Sequence, residues 1–339
     1  MTFRMPAEFE PQATVWVDPP HNAETWPGPG CFTAAVAQFD DLCRHIARFT
    51  PVSTTRELNM RTNDSWIRDY GPVFVVETPA SGDGGYSTNP RTAHSLVCHD
   101  FTFDNWGRKY PGWERDNKTP QRIAHALGIG RHEHAFVLEG GSIDTNGQGE
   151  VLTTESCLLN AGRNPGVSRD DIERLFARTL GARHVIWLPG GIAGDDTNGH
   201  IDDAARFITP DTVAAVRAPR GHPDFDMLDR NWRALQAASG QISAPLRLIG
   251  LPHPAPMHYD YPAVSYEPAG RRALPASYAN FLITNGGVIV PTFGQPSDDV
   301  AMRTLDDAMP RHTIVPVRCE HLVVGLGAVH CLTLNQPAV

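Results

Sequence analysis

The chain has 339 residues, 41% of them hydrophobic and 20% charged, a composition that excludes an intrinsically disordered protein. A formal net charge of −9 argues against nucleic acid and anionic membranes as partners and is compatible with a cationic substrate. No apolar run approaches the ~20 residues that span a bilayer, and the opening Met1 to Gln12, with two glutamates and two prolines, lacks the apolar stretch of a secretion signal. A cytoplasmic location is therefore expected. In that reducing compartment the six cysteines (Cys31, Cys43, Cys98, Cys157, Cys319, Cys331), which show no C-x-x-C spacing, read as free thiols and not as a disulfide framework or zinc site.

Helical and strand patterns alternate along the chain. Phe32, Val36, Phe39, Leu42, Ile46 and Phe49 recur at helical spacing until Pro51 stops them. A second helix starts at Thr119-Pro120 and ends at Gly128. Ser168 to Asp171 resembles a capping box before Ile172, Leu175, Phe176 and Leu180, with Gly181 as the stop. A strand is expected at His184 to Leu188, a helix through Phe225, Leu228, Trp232 and Leu235, and a strand around Leu246 to Ile249. The Pro-rich Leu251 to Pro268 reads as a surface loop. A helix from Val300 to Met309 and strands at Val288–Val290, Thr313–Val317 and Val329–Leu334 complete the pattern. Three segments, at Gly71-Pro72, Gly140-Gly141 and Gly286-Gly287, each lead a small or rigid pair straight into an apolar strand, which hints at a repeated α/β unit.

Four segments concentrate polar chemistry: Asn63 to Pro72, Leu138 to Ser142, Gly194 to Asp202 and Gly325 to Cys331. If the chain is extended after Gly199, His200 and Asp202 face one cavity; the plainer reading is a buried histidine with a carboxylate partner. Asp195, Asp196, His200 and Asp202 could also serve as metal ligands, but no second histidine sits at ligand spacing and H-E-x-x-H is absent. Cys331 closes a Gly-rich loop, where a thiol can be exposed in a pocket and activated by a nearby cation; from that segment alone the favoured reading is a core cysteine. Asp69 and Glu139 each precede a glycine-containing turn and could be mere turn formers. Together the segments supply carboxylates, one imidazole and one thiol, without metal spacing.

In order and spacing these segments resemble the agmatine deiminase and bacterial peptidylarginine deiminase family. The likeness runs from M-P-A-E-F-E-P at Met5–Pro11 through W-I-R-D-Y-G-P, L-E-G-G-S-I, L-T-T-E-S-C-L-L-N-A-G-R-N-P (Leu152–Pro165), G-D-D-T-N-G-H-I-D and N-G-G-V-I-V-P-T-F-G-Q-P to V-H-C-L-T-L-N-Q-P. It implies a single catalytic domain over 1–339, folded as an α/β five-bladed propeller of pentein type around a polar channel. It implies hydrolytic deimination of a small cationic guanidino substrate, agmatine first and peptidylarginine, free arginine or another guanidine as alternatives, with no metal or organic cofactor. A metal-dependent amidino hydrolase and a non-catalytic guanidinium-binding propeller are the lesser readings, and a homo-oligomer is compatible with the resemblance. By the resemblance Cys331 attacks the guanidinium carbon, His200 acts as acid then base, Glu139 orients His200, and Asp69 and Asp202 clasp the guanidinium. Trp66 and Asp196 complete the expected substrate set, with the choice between Asp195 and Asp196 left open. The sequence departs from the family pattern at Asp18-Pro19-Pro20, where a Trp-Pro pair is expected, at Tyr70, where a small hydroxyl residue is expected, and at Leu326 and Ala328 in the loop before Cys331.

Overall fold

The helices form where hydrophobic spacing gives them one apolar face. In Cys31–Ile46 the buried positions are Cys31, Ala35, Phe39, Leu42 and Ile46, steps of three and four that make a continuous stripe. Full burial of each large side chain in that stripe contributes roughly 1.5–3 kcal/mol. Thr119–Leu127 has proline in its first turn and stops at Gly128, whose φ of 66° suits a residue without Cβ. Arg169–Thr179 starts on the expected capping box, Ser168 with Asp171. The computed structural model describes residues 2–78, 95–240, 242 and 245–339.

One pairing pattern recurs among the described residues. In each case a first strand runs antiparallel to a second, and a helix then carries the chain to a third strand parallel to the second. The instances are Val73–Thr78, Ser95–Thr102 and Gly130–Val137; Asp144–Thr145, Glu150–Thr154 and His184–Leu188; Ala205–Thr209, Thr212–Arg217 and Arg247–Pro252; and Leu282–Ile283, Gly287–Thr292 and Thr313–Arg318. Their helices are Thr119–Leu127, Arg169–Thr179, Phe225–Ala238 and Pro296–Ala308. A fifth sheet joins the two ends of the chain: Thr333–Pro337 pairs antiparallel with Gln12–Val17, which runs parallel to Val52–Thr54 across the helix Cys31–Ile46. Parallel pairing requires such a crossover, because a tight turn can join only antiparallel strands.

Four expectations are corrected. Gly140–Ser142 is a 3₁₀ turn, and the strand it leads to is the short Asp144–Thr145; Gly140 and Gly141 are packed against the Asp69 segment, where a strand would not fit. His200 caps a 3₁₀ turn, Ile201–Asp203, instead of opening an extended run. The last strand begins at Thr333, not Val329, because the side-chain carbonyl of Asn280 accepts the backbone N–H of His330 at 2.9 Å and draws that stretch into a turn. The segment predicted as a surface loop contains Met257–Tyr261, which pairs with Gly270–Leu274 as a hairpin.

Candidate active site

The recurring unit places the candidate residues. The segment just before each first strand supplies a polar side chain: Asp69 before Val73, Glu139 before Asp144, His200 and Asp202 before Ala205, Asn280 before Leu282, and Cys331 before Thr333. Asn280 is the member that sequence reading missed; the repeat was the signal that could have found it. A cavity of about 300 Å³ is lined by Cys331, His200, Asp69, Trp66 and Asp196, all expected, and by Asp203, Trp106, Tyr110 and Tyr261, which were not; Asp202 and Glu139, also expected, lie behind that lining. Its walls carry six acidic side chains (Glu24, Asp64, Asp69, Asp196, Asp203, Glu267), of which burial and the neighbouring Asp202 hold Asp203 well above the usual carboxylate range, against one guanidinium, Arg272, itself 2.5 Å from Glu267.

Cys331 Sγ accepts a hydrogen bond from Asn280 Nδ2 at 3.1 Å and lies 3.9 Å from Asp202 Oδ2. Asn280 Nδ2 also donates to Asp203 at 3.0 Å. Burial pushes the Cys331 thiol well above its ordinary value, and the charges of Asp202, Asp203 and Asp69 add to the shift. The neighbouring His330 turns away from the sulfur. Its Nδ1 meets Asp202 Oδ2 at 2.7 Å and its Nε2 meets Glu8 Oε2 at 2.9 Å, while Arg206 and Arg68 face the same Glu8 at 2.8 and 3.1 Å. Asp202 is thereby fixed through one oxygen, and its other oxygen, Oδ1, is buried without a hydrogen-bond partner.

Before His200 the chain turns through Asn198 and Gly199, at φ 72° and 99°. A Cβ on Gly199 would lie 2.5 Å from both Gly191 N and Ser156 Oγ. Asp195 organises this turn by accepting from the N–H groups of Thr197 and His200 at 2.7 and 2.9 Å, which leaves Asp196 to face the cavity, where it accepts from the Tyr110 hydroxyl. His200 Nδ1 is 3.6 Å from Asp69 Oδ1, and Nε2 is 3.8 Å from Glu139 Oε2. Burial alone would lower the pKa of His200, but Asp69, Cys157 and Glu139 outweigh it and hold the imidazole well above its usual range. Glu139 is fully buried, and burial opposes its ionisation; His200 and Arg163, whose Nε is 3.0 Å away, reverse that and hold it below the normal carboxylate range.

Asp69 accepts from Trp106 Nε1 at 2.9 Å and from Gly141 N at 3.0 Å. Burial, aided by Asp202 and Glu139, pushes its carboxyl up to about 6 against the opposing pull of His200. Trp106 reaches it from a stretch in which Asn105, Trp106, Gly107 and Arg108 all have positive φ, a strained backbone of the kind that functional sites tolerate when packing over-determines it. Two family departures prove to be partners: the Tyr70 hydroxyl donates to Asp18 Oδ2 at 2.6 Å, and Thr55 donates to Asp18 Oδ1 at 2.5 Å. Leu326 adopts φ 69° just before Gly327, where a Cβ would lie 2.5 Å from Trp66 and 2.9 Å from Cys331 Cβ.

Glu139, Cys157 and His200 bring ligand atoms within 4.8 Å of one another, close enough to hold a cation. The Arg163 guanidinium on Glu139 opposes that use, since a second positive charge would share a buried carboxylate. Among the described residues no helix is long and apolar enough to cross a membrane.

Fold and cavity together define an α/β protein with a buried thiol, an imidazole and carboxylates around a cation-sized space. The family model of the Porphyromonas-type peptidyl-arginine deiminases matches residues 4–337, and the chain belongs to that family, hydrolases of C–N bonds in linear amidines. The agmatine deiminase of Stutzerimonas stutzeri (strain A1501) is 34% identical over 372 residues, covering 99% of this chain and 96% of the relative. The agmatine deiminase of Enterococcus faecalis has a solved structure similar at TM-score 0.87 and 32% identity, with 99% and 96% of the two chains covered. A substrate-bound cysteine-to-serine variant of the C. jejuni agmatine deiminase aligns at TM-score 0.84 and 27% identity, covering 99% of this chain and 96% of the other.

Proposed function

We propose that the protein hydrolyses agmatine to N-carbamoylputrescine and ammonia through a covalent cysteine adduct, acting as one catalytic domain over 1–339 in which the five sheets that share the recurring pairing form the blades of a propeller around the cavity. The observation that carries this reading is the convergence of Cys331, His200 and Asp69 on one acidic, confined cavity. The likeness to agmatine deiminases over nearly the whole chain supports it.

Agmatine enters with a guanidinium at one end and an ammonium at the other. Asp69 and the unpartnered Oδ1 of Asp202 hold the guanidinium; carboxylates match its planar fork. Asp196, Asp64 and Glu267 give the second positive charge an acidic environment, and Trp66 supplies an apolar wall. Before substrate binds, three carboxylates disfavour a thiolate at Cys331. A bound guanidinium offsets that repulsion, so the thiol releases its proton to solvent chiefly when there is something to attack. The Sγ electron pair adds to the guanidinium carbon. His200, held charged by Asp69 and Glu139, gives its proton to the departing amine, the C–N bond breaks, and ammonia leaves an amidino-thioether. The now neutral His200 takes a proton from water, whose oxygen adds to the same carbon. The C–S bond breaks, the proton left on the added oxygen passes to the departing sulfur, and the ureido product is released with Cys331 again a thiol. Positioning of this kind is worth up to roughly 7–11 kcal/mol.

Confinement favours a small substrate over peptidylarginine, and the pairing of Arg272 with Glu267 leaves little attraction for the carboxylate of free arginine. The test is a panel of guanidino compounds assayed for ureido product and ammonia with the wild-type protein and Cys331→Ala. Agmatine should lead the panel, and the variant should bind it without turnover. Ammonia release by Cys331→Ala would refute the nucleophile; preference for a peptide substrate would refute agmatine.

A further inference from the structure

We infer that His222, Asp224 and His253 form a binding site for a divalent transition metal of the zinc class, separate from the catalytic cavity. None of the three lines that cavity. Their ligand atoms all lie within 4.8 Å of one another, and the side chains are 6%, 10% and 6% exposed.

The tautomers carry the argument. A carbonyl oxygen can only accept, so His222 Nε2, 3.2 Å from Pro254 O, and His253 Nδ1, 3.1 Å from the same oxygen, each carry a hydrogen. The inner nitrogen of His222, Nδ1, accepts from the backbone N–H of Asp224 at 3.1 Å and therefore presents a lone pair. The inner nitrogen of His253, Nε2, lies 3.1 Å from Asp224 Oδ2 and pairs with it; a metal ion would take the place of that shared proton. His222 Nδ1 is 3.7 Å from that same Oδ2, while Oδ1 is held by Ala193 N at 2.7 Å. Two inner imidazole nitrogens and a carboxylate oxygen thus converge, with both outer ring N–H groups anchored on one carbonyl. That outer anchoring is how metal-ligating histidines are usually oriented.

Distances and donor set agree with zinc. Ligands about 2.0–2.1 Å from a tetrahedral ion stand roughly 3.3 Å apart, and the measured 3.1 and 3.7 Å bracket that edge. A small swing of the rings closes the set, with coordination replacing the Asp224 N–H bond to His222 and water as the fourth ligand. Two nitrogens and one carboxylate suit zinc or its neighbours better than magnesium or calcium. The ion clamps three elements: the start of Phe225–Ala238, the chain leaving Arg247–Pro252, and the Ala193 segment that leads into the Asp195–His200 turn. It acts on rigidity and not on the reaction itself.

The test uses the full chain with Zn²⁺ or Co²⁺ alone. Wild-type protein should take up one equivalent of Co²⁺ with the visible d–d absorption of a four-coordinate site and no sulfur charge-transfer band. Zn²⁺ should raise Tm, and His253→Gln should weaken binding at least about tenfold and abolish the Tm shift. Should that variant not fold, ¹⁵N-histidine NMR of the wild-type protein decides: Zn²⁺ must shift the resonances of His222 and His253. Absence of binding, a cysteine-to-cobalt band, unchanged affinity in His253→Gln, or a shift confined to His200 would each overturn the proposal.

Discussion

Gly141→Ala isolates alignment from every other property of the site. A Cβ on Gly141 would lie 2.6 Å from His200 Nδ1, 2.7 Å from Asp69 Oδ1 and 3.1 Å from Asp202 Oδ2. Ordinary Cβ contacts start near 3.4 Å, so His200 and Asp69 must retreat by about 0.8 and 0.7 Å, the differences from that limit. A misplacement near 1 Å costs about 10²-fold in rate, or about 2.7 kcal/mol of transition-state stabilisation. The φ of Gly141 is not among the positive values, so alanine imposes no backbone strain and the fold should survive. The assay is ammonia release from agmatine, with thermal denaturation as the control for folding. Gly270→Ala serves as the comparison, because nothing lies within 4 Å of its Cβ position. A kcat/KM within about threefold of wild type for Gly141→Ala would show that His200, Asp69 and Asp202 tolerate displacement, and the alignment reasoning would fall.

The pH–rate profile should show an acid limb near pH 6. A protonated Asp69 cannot pair with a guanidinium, so kcat/KM must fall as pH drops through its raised value of about 6, and Asp196, also raised by burial to about 6, steepens the fall. A limb centred near the ordinary 3.8 would contradict the buried acidic site. Asn280→Asp keeps the size of the side chain but replaces the donor to Cys331 Sγ with a fourth nearby acid; kcat/KM at neutral pH should drop by at least about tenfold, and an unchanged value would remove Asn280 from the site. Tyr70→Phe leaves Asp18 Oδ2 without its buried donor, which should cost about 1–3 kcal/mol, read as a lower urea midpoint at constant slope; an unchanged midpoint would mean that water replaces the hydroxyl.

What the sequence determined by itself is local or motif-borne. Helix positions followed from apolar spacing and caps, as with Ser168 and Asp171, because those interactions join residues three or four apart. The thiol, the imidazole and three of the acids stood out as candidates because each sits in a compact polar motif before a strand. The Gly-led starts hinted at a repeat without marking equivalent places in it: Gly71-Pro72 precedes a first strand, Gly140-Gly141 lies in a 3₁₀ turn, and Gly287 opens a second strand. Tertiary structure decided the rest, since the deciding contacts join residues far apart in the chain. Glu8 meets His330 across 322 positions and Asn280 meets Cys331 across 51, and neither partner carries a local signal of the other. Trp106 reaches Asp69 only because a strained turn aims it there. The segment 251–268 looked like a loop because its prolines hide a short hairpin strand, yet it forms one wall of the cavity. Hydrophobic period and capping encode elements; which oxygen of Asp202 is left without a partner depends on packing that no short stretch of sequence contains.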